Sequence, residues 1–416
     1  MKISLNYGST LTYAEIPEKN YMDTLDPIFV EEQDDPVLEV KRAINNPIGS
    51  PALKELVSPG QKAVIIASDI SRPVPSHILL PPILEELNKG NVKDNQINVV
   101  FGLGIHRKHT EEEKKKLVGQ EVYNRVLCID HDIDDCKEIG KTKRGNHVSV
   151  SRKILESDFI IATGNLEFHY HAGFSGGAKA VAPGVCNRET IIENHRHLLD
   201  PNARSGQIKG NPVREEIEEI GSMVGIDFMV NAILNGKNRI IRVVAGDVTA
   251  AHKEGVKFIN SIFRREINEL ADIVVVSPGG FPKDINLYQA HKAVENASQA
   301  LKKGGILILA AECRESLGDL LFAEALTEGT SPFDLVEEFK HRFVLGRHAA
   351  SRMAKIHVDK EIFIVSDLPV RIREKLFFKS FSSVDSALDK ALEVKGSKAR
   401  VLVIPFGVST LPFYFG

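Results

Sequence analysis

The chain has 416 residues, of which 43% are hydrophobic and 26% are charged. This composition is typical of a globular protein and excludes an intrinsically disordered one, and the length predicts two or three domains. Because 53 Lys and Arg residues are balanced by 56 Asp and Glu residues, the net charge of −3 gives no electrostatic reason to expect a nucleic acid or a membrane surface as partner.

The sequence carries no strong targeting signal. Its first ten residues lack the charged and apolar regions of a secretory signal, and no later run reaches the ~18 apolar residues of a membrane-spanning helix. We therefore expect a soluble, cytoplasmic protein. Four cysteines without CxxC spacing predict reduced thiols rather than disulfides or a zinc ribbon.

Seven short apolar runs alternate with helical patterns along the chain. They cover residues 62–68, 97–102, 158–163, 272–277, 305–310, 361–366 and 400–405. Continuous apolar strands that alternate with helices are typical of mainly parallel sheets covered on both faces, so the predicted fold class is α/β. Thr110 is a suitable N-cap for a helix over 110–117, and an Asn-Gly pair at 235–236 predicts an antiparallel hairpin that flanks a sheet.

A second α/β unit begins near residue 271, after the amphipathic stretch 251–270. We therefore predict an N-terminal cofactor-binding domain at 1–268 and a C-terminal α/β domain at 269–396, and leave open whether residues 397–416 return to the first domain. Ligands of open α/β sheets bind beyond the carboxyl ends of the strands. The active site is accordingly expected in the cleft between the two domains.

Four loops that follow predicted strands are rich in polar groups. They cover residues 68–73, 102–107, 165–184 and 278–292. Residues 169–197 alone hold four of the 14 histidines, where a uniform distribution gives about one. Imidazole carries protons and binds metals near neutral pH, so this segment is a candidate site.

The segment 173–179 (GFSGGAK) combines glycines with a lysine. It contains the letters of a GxSxG nucleophile elbow but does not directly follow a strand, and it lacks the spacing of a Walker phosphate loop. Glycines let backbone N–H groups approach an anion closely, and Lys179, between two alanines, is suited to partial desolvation and covalent loading. The helix predicted to open near Asn286 places Gln289 and Lys292 on one face.

Taken together, these loops resemble the lactate racemases that use a nickel-pincer nucleotide. The resemblance is carried, in order along most of the chain, by DISR at 69–72, GIHR at 104–107, EFHYHAGFSGGAK at 167–179, PG at 183–184, NH at 194–195 and YQAHK at 288–292. It implies a racemase or epimerase that inverts C2 of a 2-hydroxy acid. The implied reaction is hydride transfer to and from the cofactor through a 2-keto acid.

The resemblance also implies the cofactor and the site residues. The cofactor is nickel in a pyridinium-3,5-bisthiocarboxylic acid mononucleotide, bound covalently to Lys179, and His195 is the protein ligand of the nickel. His106 and His169 are the catalytic acid–base residues. The other cofactor contacts are Asp69, Arg72, Ser175, Gly176, Gly177, Tyr288, Gln289 and Lys292, and Arg72, Gln289 and Lys292 also bind substrate. Cofactor-biosynthesis and nickel-insertion proteins are expected as transient partners.

The chain departs from the family pattern at two places. Phe168 stands where lactate racemases usually have proline, and the chain has no Trp, although a tryptophan in the pocket is typical of them. The corresponding segment, 348–352 (HAASR), offers smaller side chains, so we expect a 2-hydroxy acid larger than lactate.

Three other functions stay open at this point. Lys179 is also suited to a Schiff base in a pyridoxal-phosphate isomerase. The pairs at 169/171 and 195/197 are typical of a His-rich zinc or iron hydrolase. A binder of 2-hydroxy acids or nucleotides without turnover is the third alternative.

Overall fold

The computed structural model describes residues 1–341, 343–344 and 346–415. The strands are β1 (Lys2–Tyr7), β2 (Thr10–Glu15), β3 (Tyr21–Thr24), β4 (Ala63–Ser68), β5 (Ile97–Gly102), β6 (Leu127–Asp130), β7 (Cys136–Lys141), β8 (His147–Ser151), β9 (Phe159–Asn165), β10 (Phe168–His169), β11 (Gly173–Phe174), β12 (Phe228–Leu234), β13 (Ile240–Gly246), β14 (Arg264–Ile267), β15 (Ala271–Val276), β16 (Leu301–Ala310), β17 (Glu361–Val365), β18 (Lys379–Phe381), β19 (Val401–Ile404) and β20 (Leu411–Tyr414).

The α-helices are α1 (Pro36–Asn45), α2 (Leu53–Leu56), α3 (Ser76–Lys89), α4 (Glu111–Val118), α5 (Gln120–Arg125), α6 (Arg152–Leu155), α7 (Arg188–His195), α8 (Pro212–Val224), α9 (Val248–Phe263), α10 (Leu287–Ala297), α11 (Leu320–Thr327), α12 (Pro332–His341), α13 (Arg347–Asp359), α14 (Val370–Arg373) and α15 (Val384–Lys395). All seven predicted strands are present, and Thr110 caps α4 by accepting a hydrogen bond from the Glu113 amide. Among the described residues, no helix is both long enough and apolar enough to span a bilayer.

The chain forms two compact units. The central unit is Phe29–Ser261, and the terminal unit combines Met1–Ile28 with Ile262–Gly416. This division differs from the predicted one at both ends of the chain. The first 28 residues join the terminal unit because β3 pairs in parallel with β19, and the segment 397–416 stays there because β19 also pairs with β15.

The central unit is built on a six-stranded sheet with the order β13-β12-β9-β4-β5-β6. Every neighbouring pair is parallel except β12 and β13, which form the predicted antiparallel hairpin at one edge. The chain runs from β4 outward through β5 to β6, and then returns to start again on the other side of β4 with β9. This reversal is the topological switch point of a doubly wound sheet, where such folds bind their ligands.

Alternating side chains of the central strands supply two hydrophobic cores, one on each face of the sheet. In β4, Ala63 and Ile65 lie in one core, while Val64 and Ile66 lie in the other. Full burial of an isoleucine side chain contributes about 1.5–3 kcal/mol, so a strand buried on both faces is held firmly in register. The loops at its carboxyl end therefore start from a rigid position.

The terminal unit contains a second six-stranded sheet, entirely parallel, with the order β18-β17-β16-β15-β19-β3. Its strands also alternate between two cores. The stretch predicted as amphipathic at 251–270 is helical only as far as Phe263, and β14 follows and pairs with β20. With two mainly parallel α/β units and an antiparallel hairpin, the predicted fold class is confirmed.

Candidate functional site

Three strands around the switch point of the central sheet lead directly into candidate residues. Asp69 follows β4, and His106 follows β5 within four residues. His169 lies in the short antiparallel hairpin of β10 and β11, just after β9, and its backbone pairs with Gly173. Because parallel strands end at the same edge of a sheet, the topology places all three residues at one edge.

Asp69 and His106 form a hydrogen-bonded pair. The Oδ2 atom of Asp69 lies 2.8 Å from Nδ1 of His106, and Oδ1 accepts a hydrogen bond of 2.7 Å from the Ser71 amide. Burial disfavours the Asp69 carboxylate, but the hydrogen bonds from His106 and Ser71 and the charge of Arg72 outweigh it and lower the pKa of Asp69 to about 2. An ionised carboxylate only accepts hydrogen bonds, so Nδ1 of His106 carries a proton and Nε2 of the neutral ring is the basic nitrogen.

Arg72 belongs to the same loop. Its amide donates to the Asp69 carbonyl at 3.1 Å, which closes a turn and fixes the base of the side chain. The guanidinium is half-buried and has no hydrogen bond or ion pair with any residue that the structure describes. A planar guanidinium in this state is suited to bind both oxygens of a carboxylate.

A second histidine, His109, holds this loop in place and is absent from the predicted site. Its side chain is 1% exposed, its Nδ1 lies 2.6 Å from Oδ1 of Asp130, and its Nε2 accepts a hydrogen bond of 3.1 Å from the Ile70 amide. Because Ile70 directly follows Asp69, the His109 ring anchors the backbone beside the Asp69–His106 pair.

Three histidine rings lie in a row in the central unit. The rings of His169 and His171 are 4.2 Å apart, and those of His171 and His195 are 5.0 Å apart, each in an edge-to-face arrangement. His195 is buried and is the last residue of α7. Within the described part of the chain, no three His, Cys, Asp or Glu side chains converge as a ligand group for a metal ion. The arrangement thus differs from the three-ligand protein site of a zinc hydrolase. A single histidine from the protein suffices to bind a metal ion when a cofactor supplies the remaining metal ligands.

Lys179 is a half-buried lysine, and its amine has no hydrogen bond or ion pair among the described residues. Burial, followed by the positive charges of Arg72 and Arg214, lowers the pKa of Lys179 to about 7, against the opposing effect of Asp69 and Glu167. Near neutral pH, a large fraction of this amine is uncharged. That is the form in which an amine makes a covalent bond, so the residue fits a cofactor tether.

Two backbone amides of the glycine-rich loop form hydrogen bonds within the protein. The Ser175 amide donates to the Glu167 carbonyl at 2.9 Å, and the Gly177 amide donates to Oδ1 of Asn231 at 2.8 Å. Gly176 and Gly177 have φ values of +72° and +59°, which favour glycine. The polar groups of Ser175 and Gly177 are therefore engaged within the protein, and these residues shape the loop that presents Lys179.

Side chains in the first turns of α8 support the candidate residues, and the sequence patterns did not predict this role. The Asn211 side chain, its N-cap, donates to the His171 carbonyl at 2.8 Å, and Arg214 donates to the Phe174 carbonyl at 3.0 Å. The buried carboxylate of Glu216 accepts a hydrogen bond of 2.9 Å from Asn194, the neighbour of His195. The sequence does contain one signal for such a supporting residue. Arg214 lies one turn before the buried Ile217, so it is a charged residue on the apolar stripe of an amphipathic helix.

The remaining predicted residues lie in the terminal unit, on α10. As expected, Asn286 caps this helix, and Nζ of Lys292 donates to Oε1 of Gln289 at 2.7 Å across one turn. Tyr288 packs against Phe322, with ring centroids 5.4 Å apart.

The segment 348–352 lies on α13, where its small side chains do not by themselves support a roomier pocket. Ala349 and Ala350 are fully buried in a hydrophobic core, so these small side chains fill core positions. Arg352 donates from Nε and Nη2 to the two carboxylate oxygens of Glu295, each at 2.6 Å. The expectation of a larger acid then depends on the absence of Trp alone.

Comparisons with known proteins identify the family that this chain resembles. Family models described as the lactate racemase N-terminal and C-terminal domains match residues 7–206 and 267–411. Lactate racemases of Lactiplantibacillus plantarum and Thermoanaerobacterium thermosaccharolyticum are 30% and 29% identical to this chain over 425 aligned positions, with at least 98% of each sequence covered.

Solved structures give the same result at the level of the fold. The lactate racemase apoprotein of Thermoanaerobacterium thermosaccharolyticum is similar with a TM-score of 0.90 and 28% identity, and covers 99% of this chain and 100% of its own. A protein of Thermotoga maritima has a TM-score of 0.64 at 17% identity, covers 92% of this chain and 100% of its own, and is similar in fold alone.

Proposed function

This chain belongs to the lactate racemase family and is therefore an isomerase, and from that premise we propose that it inverts C2 of lactate or of another, larger 2-hydroxy acid. When bound, the nickel-pincer nucleotide supplies an acceptor and donor of hydride for C2. The residues of the chain bind the substrate, hold the cofactor and move the hydroxyl proton.

Lys179 and His195 hold the cofactor in this proposal. The lowered pKa of Lys179 supports its role as covalent tether, because an uncharged amine is available near pH 7. His195 is buried next to the His171 ring. Among the described residues, no three His, Cys, Asp or Glu side chains converge as a ligand group for a metal ion. Both observations support the role of His195 as the one protein ligand of nickel.

His106 and His169 move the hydroxyl proton. The Asp69 carboxylate leaves Nε2 of His106 as an acceptor and stabilises the imidazolium that forms when the ring takes a proton. The Ala172 amide donates to Nδ1 of His169 at 3.4 Å, which in the neutral ring leaves the proton on Nε2. One ring thus presents a base and the other an acid. An inversion needs both, and the hydrogen bond between Asp69 and His106 is the observation that carries this proposal.

Arg72 binds the substrate carboxylate, which stays unchanged while C2 inverts. Its guanidinium, which has no hydrogen bond or ion pair within the described part of the chain, supports this role, because a carboxylate offers the two parallel acceptors that the guanidinium matches. The family resemblance assigns Tyr288, Gln289 and Lys292 to the cofactor, and Gln289 and Lys292 to the substrate as well. The hydrogen bond between Gln289 and Lys292 supports a joint role for these two side chains.

Racemisation in D2O tests the proposed mechanism. The holoenzyme is prepared together with the cofactor-biosynthesis and nickel-insertion proteins, and either enantiomer of lactate is converted in D2O. If the C2 hydrogen leaves and returns as hydride, the product stays almost free of deuterium at C2, and acid quenching releases a trace of the keto acid. Incorporation of deuterium at the rate of inversion would contradict the proposal and would make the two histidines bases for the C2 proton.

Intact mass and metal analysis of the same preparation separate the alternatives. The proposal predicts an adduct on Lys179 and about one nickel per chain. A pyridoxal-phosphate isomerase would show bound phosphate, visible absorbance and no nickel, and a hydrolase would show zinc or iron without an adduct.

A further inference from the structure

Arg214 is an arginine without any exposed surface, on the first turns of α8. Burial of a charge is costly unless its hydrogen bonds are satisfied, so such a residue is retained for what its contacts achieve. Nη1 donates to the Phe174 carbonyl at 3.0 Å, and Nη2 forms an ion pair with Glu218, which is partly exposed. The guanidinium thus joins α8 to the loop that leads to Lys179.

His252, on α9, completes this contact. Its Nε2 lies 3.0 Å from the Ser175 carbonyl oxygen and 3.0 Å from Nη2 of Arg214, and its Nδ1 lies 3.5 Å from the same Nη2. Burial and the charge of Arg214 lower the pKa of His252 well below its usual value, so the ring is neutral at physiological pH. The Phe174 carbonyl therefore accepts a hydrogen bond from buried Arg214, and the next carbonyl, that of Ser175, lies against the buried His252 ring.

The same two side chains pack against the backbone just before Lys179. A Cβ atom built on Gly177 would lie 2.9 Å from Cδ2 of His252 and 3.4 Å from Nη2 of Arg214. Gly177 and Lys179 share one turn of 3-10 helix. The guanidinium therefore lies against the turn that carries the lysine.

The charged groups that act on Lys179 come from three elements besides its own turn. Arg72, in the loop after β4, and Arg214, on α8, disfavour the ammonium form, while Asp69 and Glu167 favour it. Arg72 faces the proposed substrate site and is open to neutralisation by a carboxylate. Arg214 has no exposed surface, so its charge acts on Lys179 whether or not substrate is bound.

We propose that Arg214 is a positioning residue for Lys179, which fixes the loop through the Phe174 carbonyl and uses its buried charge to keep the Lys179 amine neutral and ready for cofactor attachment. This proposal rests on the proposed function of Lys179 as the covalent tether of the cofactor. The charge effect itself is a property of the protein without cofactor. It can therefore be measured independently of nickel, of the nucleotide and of racemase activity.

The test is competitive labelling of the apoprotein with trace acetic anhydride between pH 5 and 11, with Lys179 acetylation quantified by peptide mass spectrometry. The neutral amine attacks the carbonyl carbon, acetate leaves, and the amine proton goes to solvent. In the wild-type protein we expect half-maximal reactivity near pH 7, far below that of an ordinary lysine. In Arg214→Met we expect the midpoint to rise by about one pH unit, because a nearby positive charge is lost.

Three further variants make the result specific. Arg214→Lys keeps the charge, so its midpoint stays near the wild-type value, and Arg152→Met removes a surface charge and leaves the midpoint unchanged. Glu218→Gln removes the counter-charge of Arg214, so the midpoint of Lys179 acetylation falls to a lower pH. This variant tests the proposal if Arg214→Met does not fold.

An unchanged midpoint in a folded Arg214→Met, or a midpoint that does not fall in Glu218→Gln, overturns the proposal. Failure to find an adduct on Lys179 in the holoenzyme would overturn the proposed tether and leave these midpoints unaffected. The two failures are therefore distinguishable.

Discussion

Nδ1 of His106 lies 2.8 Å from Oδ2 of Asp69, with the carboxylate almost buried at 6% exposure and the imidazole open at 47%. The Asp69 carboxylate thus anchors the pair in the protein, while the His106 ring is accessible to solvent. Because the carboxylate stays ionised at any physiological pH, it determines which ring nitrogen carries the proton. The exposed part of the ring is then free to exchange a proton with a hydroxyl group.

Asp69→Asn should impair proton transfer more than binding. The Asn amide can donate to Nδ1 and stabilise the opposite tautomer, so we expect kcat to fall by about 10²–10⁴-fold with a much smaller change in KM. Steady-state rates with each enantiomer measure this effect. Ser71→Ala, which removes a hydroxyl 3.5 Å from the same nitrogen, is the matched control and should change kcat little. Equal rates for wild type and Asp69→Asn would contradict the assigned role.

The same carboxylate should contribute to stability in a defined pH window. Its pKa falls from an ordinary 3.8 to about 2 on folding, so the folded state favours the ionised form. This contribution, about 2 kcal/mol, is fully present above pH 5 and is lost as the pH falls through about 2. Urea unfolding followed by circular dichroism should show that the stability advantage of wild type over Asp69→Asn narrows as the pH falls. A constant difference would refute the assignment.

Lys179→Ala should remove the cofactor adduct. We expect the intact mass of the holoenzyme preparation to drop to that of the bare chain, with complete loss of racemase activity. Lys257→Ala, at an exposed lysine of the same unit, should retain both. An adduct that persists in Lys179→Ala would place the tether elsewhere.

His195→Ala should lose stoichiometric nickel while the protein folds normally. The reason is that His195 is proposed as the only protein ligand, so its loss leaves the metal held by the cofactor alone. Metal analysis of purified protein, with circular dichroism as a check on folding, measures this result. His197→Ala is the matched control two residues along the chain. Equal nickel content in wild type and His195→Ala would rule out the assignment.

Arg72→Lys should weaken substrate binding although it keeps the charge. An ammonium lacks the planar pair of donors that matches a carboxylate, so we expect KM to rise about 10-fold or more, which corresponds to ~1.4 kcal/mol. Titration over a panel of 2-hydroxy acids measures the effect, which should be similar for every member because all share the carboxylate. An effect confined to one acid would indicate a contact with its side chain instead.

The sequence predicted those parts of the fold that short patterns determine. Apolar runs such as 97–102 are recognisable because a strand buried on both faces needs an unbroken apolar stretch. The strand β3 was not predicted, because Tyr21–Thr24 is a half-exposed edge strand without that pattern. Its place depends on a partner about 380 residues away, which no local signal specifies.

For the candidate site, the order of the motifs indicated the residues that we propose to contact ligands, but not the residues that support them. Arg214 and His252 lie 35 and 73 positions beyond Lys179 and belong to no motif near it. The buried state of Ala349 and Ala350 likewise depends on how α13 packs. Small residues in a sequence are equally compatible with an open cavity and with a crowded core.

The pairing of β3 with β19 also determines the order in which the molecule can be completed. The central unit is one uninterrupted stretch, Phe29–Ser261, whereas the terminal sheet needs residues from both ends of the chain. On the ribosome, the central unit can complete its sheet before β19, the partner strand of β3, has been synthesised. A nascent chain that stalls before residue 400 therefore contains a folded central unit and the strand β3 without its partner. The unpaired edge of β3 can then associate with strands of other chains.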